Sequence, residues 1–178
     1  MLYRLSDLKR YNNMPRIKSE SLAEHQYYCG LILMKLKKYI INISYTEFCI
    51  LLQYVLVHDI GELYTGDIPH NVKQDYPDLR SLLEKIENEK LNSLGFDEIV
   101  TTIEENEKLK MLFKLCDTIQ VVQYCENEHR LGNSSIIINN VYIDAVESVN
   151  LQINKLKEKK LLLSNFNGEE FINEILGN

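Results

Sequence analysis

Residues 46–63, TEFCILLQYVLVHDIGEL, are apolar on nearly every side when wound as a helix. A helix of that kind is stable only among other helices, so the segment commits the chain to a bundle with this element near its centre. Elsewhere apolar residues recur at three- and four-residue steps, and only three prolines and seven glycines interrupt them. The predicted class is all-α. At 178 residues and 45% hydrophobic content the chain fits a single-domain helical bundle that can bury a sizeable core.

Along the chain, Ser21 with Glu24 three residues on has the form of a capping box, which predicts a helix running through HQYYCGLILMKLKKYI. The second helix is expected from about Thr46 through Leu63. TGDIP, residues 65–69, carries Gly66 and Pro69 at turn positions, and NVKQDYPD after it reads as an exposed connection. A polar, acidic helix follows from Asp78 to about Asn92. LGFDEIV interrupts the chain and restarts it, and the next helix, NEKLKMLFKLCDTIQVVQYCENEHR, carries Asp117 in its apolar middle. Gly132 and Asn133 mark a break. The isoleucine run after them suits a strand by composition, but a lone strand has no partner, so a helix is expected. YIDAVESVNLQINKLKEKK is amphipathic, with lysines that suit a helix C-terminus. Residues 165–178 hold one short docking helix. No repeat or linker divides the chain, so one domain is expected over residues 1–178.

Net charge and cysteine usage narrow the function classes. A formal charge of −6 and a pI near 5.3 argue against a nucleic-acid polymer as partner, since gripping a phosphate backbone needs a basic face. Cys29, Cys49, Cys116 and Cys125 lie in apolar stretches without a CxxC pair, as reduced core thiols do. The first residues, MLYRLSDLKRYNN, carry charges where a signal peptide needs an apolar run, and no segment reaches the roughly 20 apolar residues that span a bilayer. A cytoplasmic protein without a membrane partner is expected.

Four residues break the apolar pattern of the helices: His25, the adjacent His58 and Asp59, and Asp117. Singly, each is readily a helix-end residue or a salt-bridge partner. Together they are harder to place, because a carboxylate in an apolar helix costs several kcal/mol unless it is paired or binds a cation. One metal ion satisfies all four. Two imidazoles and two carboxylates make a mixed set suited to Mn, Fe, Co, Ni or Zn, with positions left open on an octahedral ion.

The order His, then His-Asp, then a distant Asp resembles the HD-domain superfamily of metal-dependent phosphohydrolases, at AEHQ, VHDIGE and KLCDT. The longer runs HDIGELYTGDIPHNVK and RYNNMPRIKSESLAEH are similar to the bacterial 5'-deoxynucleotidase branch, over roughly residues 5 to 130, with further helices from about 134 to 178. The resemblance implies an HD-type bundle in which His25, His58, Asp59 and Asp117 hold one divalent transition metal ion, Co or Mn. It also implies that Glu62 is the catalytic acidic residue, that Asp67 holds the sugar hydroxyl, that Arg10 binds phosphate, and that the enzyme is a homodimer. A two-metal HD protein needs further histidine ligands between the His-Asp pair and the last Asp, where only His70 lies.

The residues agree with that assignment. Glu62 lies four residues after His58, on the same side if the helix continues. Among Arg10, Arg16, Lys18 and Lys73, Arg10 is the first choice for phosphate because a guanidinium binds it bidentately. Tyr11 and Tyr64 are candidates for stacking on a base, whereas Tyr27, Tyr28 and Tyr54 fit the core. His70 and His129 fall in polar surroundings and are expected at the surface. Where the family has an Arg-Trp pair followed by proline, this chain reads Arg10-Tyr11-Asn12, a difference that bears on the choice between deoxyribose and ribose. The expected reaction is hydrolysis of 2'-deoxyribonucleoside 5'-monophosphates. The alternatives are another nucleotide or small phosphate ester, or a non-catalytic metal- or nucleotide-binding module.

Overall fold

The computed structural model describes residues 2–177, without the side chains of His70 and Asn71. The surface position expected for His70 therefore lies outside the described residues. The helices are α1 (Leu22–Leu36), α2 (Tyr45–Val57), α3 (Glu62–Thr65), α4 (His70–Asp75), α5 (Pro77–Ser93), α6 (Asp97–Glu105), α7 (Glu107–Arg130), α8 (Ile136–Glu158) and α9 (Gly168–Leu176). Among the described residues the only extended pairings are isolated bridges, Lys9 with Ser21 and Ile40 with Leu162. The architecture is all-α, as the sequence predicts.

Local chemistry explains where the helices begin. The Ser21–Glu24 capping box opens α1, and an equivalent box of Ser44 and Glu47 opens α2. Asn106, Ser135 and Asn167 cap α7, α8 and α9 through their side chains, and Pro77 begins α5, where a missing N–H costs nothing. The isoleucine run after Ser135 is helical, as expected.

The main core joins α1, α2, α7, α8 and α9 through Leu33, Leu51, Leu112, Leu115, Leu156 and Phe171, all 2% exposed or less. Each such side chain contributes about 1.5–3 kcal/mol by burial. A second cluster, Leu5, Leu22, Ile60, Leu91 and Val100, seats the N-terminal segment and the chain after α2 against α5 and α6. α7 runs between these layers, packed along α8 and against α1, α2, α6 and α9. Cys29, Cys116 and Cys125 are buried free thiols and Cys49 is a half-buried one.

The structure corrects the expected elements in three places. The second helix does not continue to Leu63: α2 ends at Val57, and residues 58–61 form turns with bonds such as Ile60 N–H to Val57 O at 2.9 Å and Glu62 N–H to Asp59 O at 3.0 Å. Gly61 permits this course, since a Cβ there would lie 2.6 Å from Glu87 Cα on α5. NVKQDYPD is not an irregular connection, because its first residues join His70 in α4, with Lys73 N–H bonded to Pro69 O and Tyr76 N–H to Val72 O. Tyr27 is not in the core. It is 59% exposed, because the buried face of α1 is His25, Gln26, Cys29, Ile32, Leu33 and Leu36.

Glu47 ties two of these elements together. Its carboxylate accepts the Ser44 N–H at 2.8 Å and pairs with Lys108 of α7. Lys108 chiefly, with the Ser44 N–H, holds its pKa at about 2, below the ordinary 4.5. Because the folded value is the lower one, the contribution is full above pH 4.5 and is lost as pH falls toward 2. Glu47→Gln is expected to lower stability by about 1 kcal/mol at pH 7. Urea unfolding at pH 7 and again below pH 3 should show the difference from the parent shrinking in acid.

Candidate metal centre

Three elements bring the ionisable residues together. α1 supplies His25 from its first turn, the turn after α2 supplies His58 and Asp59, and α7 supplies Asp117. One donor atom each from His25, His58 and Asp117 lies within 4.8 Å of the others. Asp59 Oδ2 joins them, 3.4 Å from His25 Nε2 and 3.2 Å from His58 Nε2, and Asp117 Oδ1 lies 3.4 Å from His25 Nε2. All four residues singled out in the sequence therefore meet at one point.

The outer ring nitrogens determine what the inner ones present. His58 Nδ1 lies 2.9 Å from Val55 O and His25 Nδ1 lies 2.7 Å from Gln120 Oε1. Both partners can only accept, so each ring carries a proton on Nδ1 and turns Nε2 inward, as a lone pair when the ring is neutral. The two Nε2 atoms are 3.3 Å apart. With Asp59 and Asp117 beside them they form a mixed N/O donor set converging on one point, which fits a divalent metal ion; without one, a proton on His58 Nε2 facing Asp59 Oδ2 takes its place.

Electrostatics at the cluster favour a positive charge among these atoms, whether a proton or a metal ion. Burial opposes charge on His58, yet Asp59 and Asp117 outweigh it and raise its pKa to about 9. Burial would push Asp59 up, but His58, His25 and Arg10 hold it well below the carboxylate range. Asp117 is brought to about 2 by His25, His58 and Lys114 against burial. His25 is fully buried, whereas Asp59 and Asp117 keep 20% and 25% of their side-chain surface exposed. The centre thus has an imidazole floor and a carboxylate mouth.

Glu62, carried on α3, is 8% exposed and pairs with Lys73 of α4 at 3.2 Å. Burial first, then Asp59, Asp67 and Glu87 against the opposing Lys73, raise its pKa to about 8. Of the four cations considered in the sequence, Lys73 serves Glu62, and Arg16 braces its own loop by donating to Arg10 O and Asn12 Oδ1. Lys18 is exposed. Arg10 lies beside the cluster, where Nη1 meets Gln120 Oε1 at 3.0 Å and Glu20 Oε1 at 3.3 Å and also rests against His25 Nδ1. Its Nε and Nη2 make no hydrogen bond among the described residues.

Other expected residues fall differently. Tyr11 does not offer an open ring: it stacks on Tyr124, centroids 4.3 Å apart and planes 14° apart, with the Arg10 guanidinium 4.9 Å from its centroid. Its backbone N–H donates to Asp67 Oδ2 at 2.9 Å, which places Asp67 at the edge of the same loop. Tyr64 is 44% exposed, with Lys90 over its ring. His129 is half-buried rather than at the surface, packed edge-on against Tyr142.

Glu20, Gln26 and Gln120 were missed by the sequence reading. Gln26, 3% exposed, satisfies both partners with its amide turned to donate to Leu56 O and accept from Asp59 N–H, which fixes the His-Asp turn. The signal for Gln26 and Gln120 was the one that singled out the His-Asp cluster, a polar side chain on a buried helical face next to an ionisable residue.

Comparison with known proteins agrees with this geometry. The family model described as "5'-deoxynucleotidase YfbR-like" matches residues 1–167. The 5'-deoxynucleotidase VV1113 of Vibrio vulnificus (strain YJ016) is 26% identical over 180 residues, which cover 93% of this chain and 89% of that one. Two solved structures share the fold. An HD-domain phosphohydrolase (lin2634) from Listeria innocua superposes with a TM-score of 0.72 at 18% identity, over 99% of this chain and 87% of that one. The cyanophage S-2L HD phosphohydrolase DatZ, bound to dA and one catalytic Zn2+ ion, gives 0.59 at 20% identity, over 98% and 90%.

A divalent ion at one hundred times its Kd is expected to raise the unfolding free energy by about 2.7 kcal/mol. Asp117→Asn and His58→Ala should each abolish most of that gain. Thermal unfolding in chelator and in added Co2+ or Mn2+ measures both.

Proposed function

We propose that this chain, a metal-dependent phosphohydrolase that belongs to the YfbR-like 5'-deoxynucleotidase family, hydrolyses 2'-deoxyribonucleoside 5'-monophosphates to deoxynucleoside and phosphate. The observation that carries the reading is the 3.3 Å approach of two inward-facing imidazole nitrogens between two carboxylates. The family match supports the substrate class, and so does the dA bound by the phage enzyme of the same fold.

His25, His58, Asp59 and Asp117 would hold a single divalent transition ion. When bound, such an ion supplies Lewis acidity toward a phosphoryl oxygen. Everything else falls to the side chains around it. Arg10 turns its unoccupied Nε and Nη2 edge to the phosphate, while Nη1 keeps the guanidinium in place. Glu62 moves the proton from the attacking water to the leaving 5'-oxygen, a task that suits a carboxyl with its pKa near 8 and a lysine to steady it. The P–O5' bond breaks as the new P–O bond forms, so one water is consumed for each phosphate released. Asp67 faces the sugar from the loop after α3, braced by the Tyr11 N–H.

The first experiment is phosphate release from matched deoxy- and ribonucleoside 5'-monophosphates by metal-stripped protein, with Co, Mn, Mg and Zn returned one at a time. Release from the deoxy series under metal control is expected. Equal release from both series would remove the sugar assignment, and no release with any ion would move the chemistry to another phosphate ester. Glu62→Gln is expected to lower kcat by about 10²- to 10⁴-fold. Its affinity for metal should stay that of the parent by calorimetry, because Glu62 is assigned to the proton and not to the ion.

A further inference from the structure

Gln120 lies on α7 three residues after Asp117 and is 1% exposed. Its Nε2 donates to Glu20 Oε2 at 2.8 Å, which leaves its Oε1 facing His25 Nδ1 at 2.7 Å. Glu20, 6% exposed, is held in turn by its backbone carbonyl, which accepts the Arg10 N–H at 2.9 Å. The polarity of this chain of bonds runs one way. A carboxylate accepts, so the amide nitrogen must point at Glu20; the amide oxygen then accepts, so the His25 proton must be on Nδ1.

Arg10 tests the assignment, because a guanidinium only donates and Nη1 rests against the same His25 Nδ1. Nη1 has two N–H groups, and Gln120 Oε1 at 3.0 Å and Glu20 Oε1 at 3.3 Å account for both. No proton is left for His25 from that side. With both Nη1 hydrogens directed at Gln120 and Glu20, the tautomer of His25 follows from Gln120.

We propose that Gln120, locked in one amide orientation by Glu20, is a positioning residue that fixes His25 in the tautomer whose Nε2 can take a metal ion. This rests on the reading that the cluster binds a divalent ion. Partners of this kind, hydrogen-bonded to a ligating imidazole, change metal affinity by about 10- to 100-fold when removed. It also gives α7 two duties at the centre, one ligand of its own and control over a ligand on α1.

The test is Co2+ affinity, read from the visible absorption of the bound ion and by competition with a chelator. Gln120→Met keeps the volume and removes the acceptor, and is expected to raise Kd by about 10- to 100-fold. Glu20→Gln removes the acceptor that holds the amide nitrogen, leaving only Arg10 Nη1 to hold its oxygen toward His25, and is expected to weaken binding although Glu20 does not touch the imidazole. The exchange Glu20→Gln with Gln120→Glu keeps one carboxylate in the pair and again presents an acceptor to His25, so it should recover most of the affinity lost in Glu20→Gln. An exchange variant that binds no better than Glu20→Gln alone overturns the proposal. So does a Gln120→Met protein with lowered metal-free stability but parental Kd, since that is a structural role only. Failure of the parent itself to bind Co2+ sinks the metal reading instead.

Discussion

Two imidazole nitrogens held 3.3 Å apart between two carboxylates inside a helical bundle need a positive charge among them. The cost of part-burying Asp59 and Asp117 is offset by that charge, carried by a proton on His58 or by a bound ion. The surrounding fold drives these elements together. Apolar contacts of Leu33, Leu51, Leu112 and Leu115 continue directly from the cluster into the main core. The free energy of that core holds the four side chains together whether or not an ion is present.

α7 organises both sides of the centre. Asp117, Gln120, Tyr124 and Glu128 recur at three- and four-residue steps and so share one face. Asp117 faces the metal cluster and Gln120 the His25 ring. Further along, Tyr124 Oη donates to Lys18 O at 3.2 Å, and buried Glu128 accepts the Ile17 and Lys18 N–H groups, both at 2.7 Å. These bonds pin the loop that leads from Arg10 to α1. A single element therefore sets the distance between Arg10 and the His-Asp cluster.

The fold class and the four-residue cluster were legible in the sequence because both are written in periodicity. His25, His58, Asp59 and Asp117 each interrupt an apolar face, and the interruptions converge when the faces pack. What was not legible depends on close approach between elements distant in sequence. The turn at residues 58–61 follows from Gly61 meeting Glu87, which lies 26 positions later, and no local pattern announces it. The same holds for Lys73, which reads as a surface cation until α4 folds it against Glu62. Tyr27 misled for the opposite reason: an aromatic in an apolar stretch looks internal until the helix phase is fixed by His25 and Cys29.

Tyr11 shows how a departure from the family pattern can act at a distance from where it stands. Its φ of 58° puts a non-glycine residue in the left-handed region, at a cost of about 1–3 kcal/mol. Two bonds oppose that cost from opposite ends of the residue. The ring stacks inward on Tyr124, and the N–H points to Asp67. A change of aromatic at this position, such as the tryptophan of the family pattern, is therefore felt first in the packing against Tyr124. It reaches Asp67 only through the backbone, as a change in how firmly that carboxylate is held. The Tyr11–Asp67 link, rather than the bulk of a ring, is therefore what a change of aromatic here loosens.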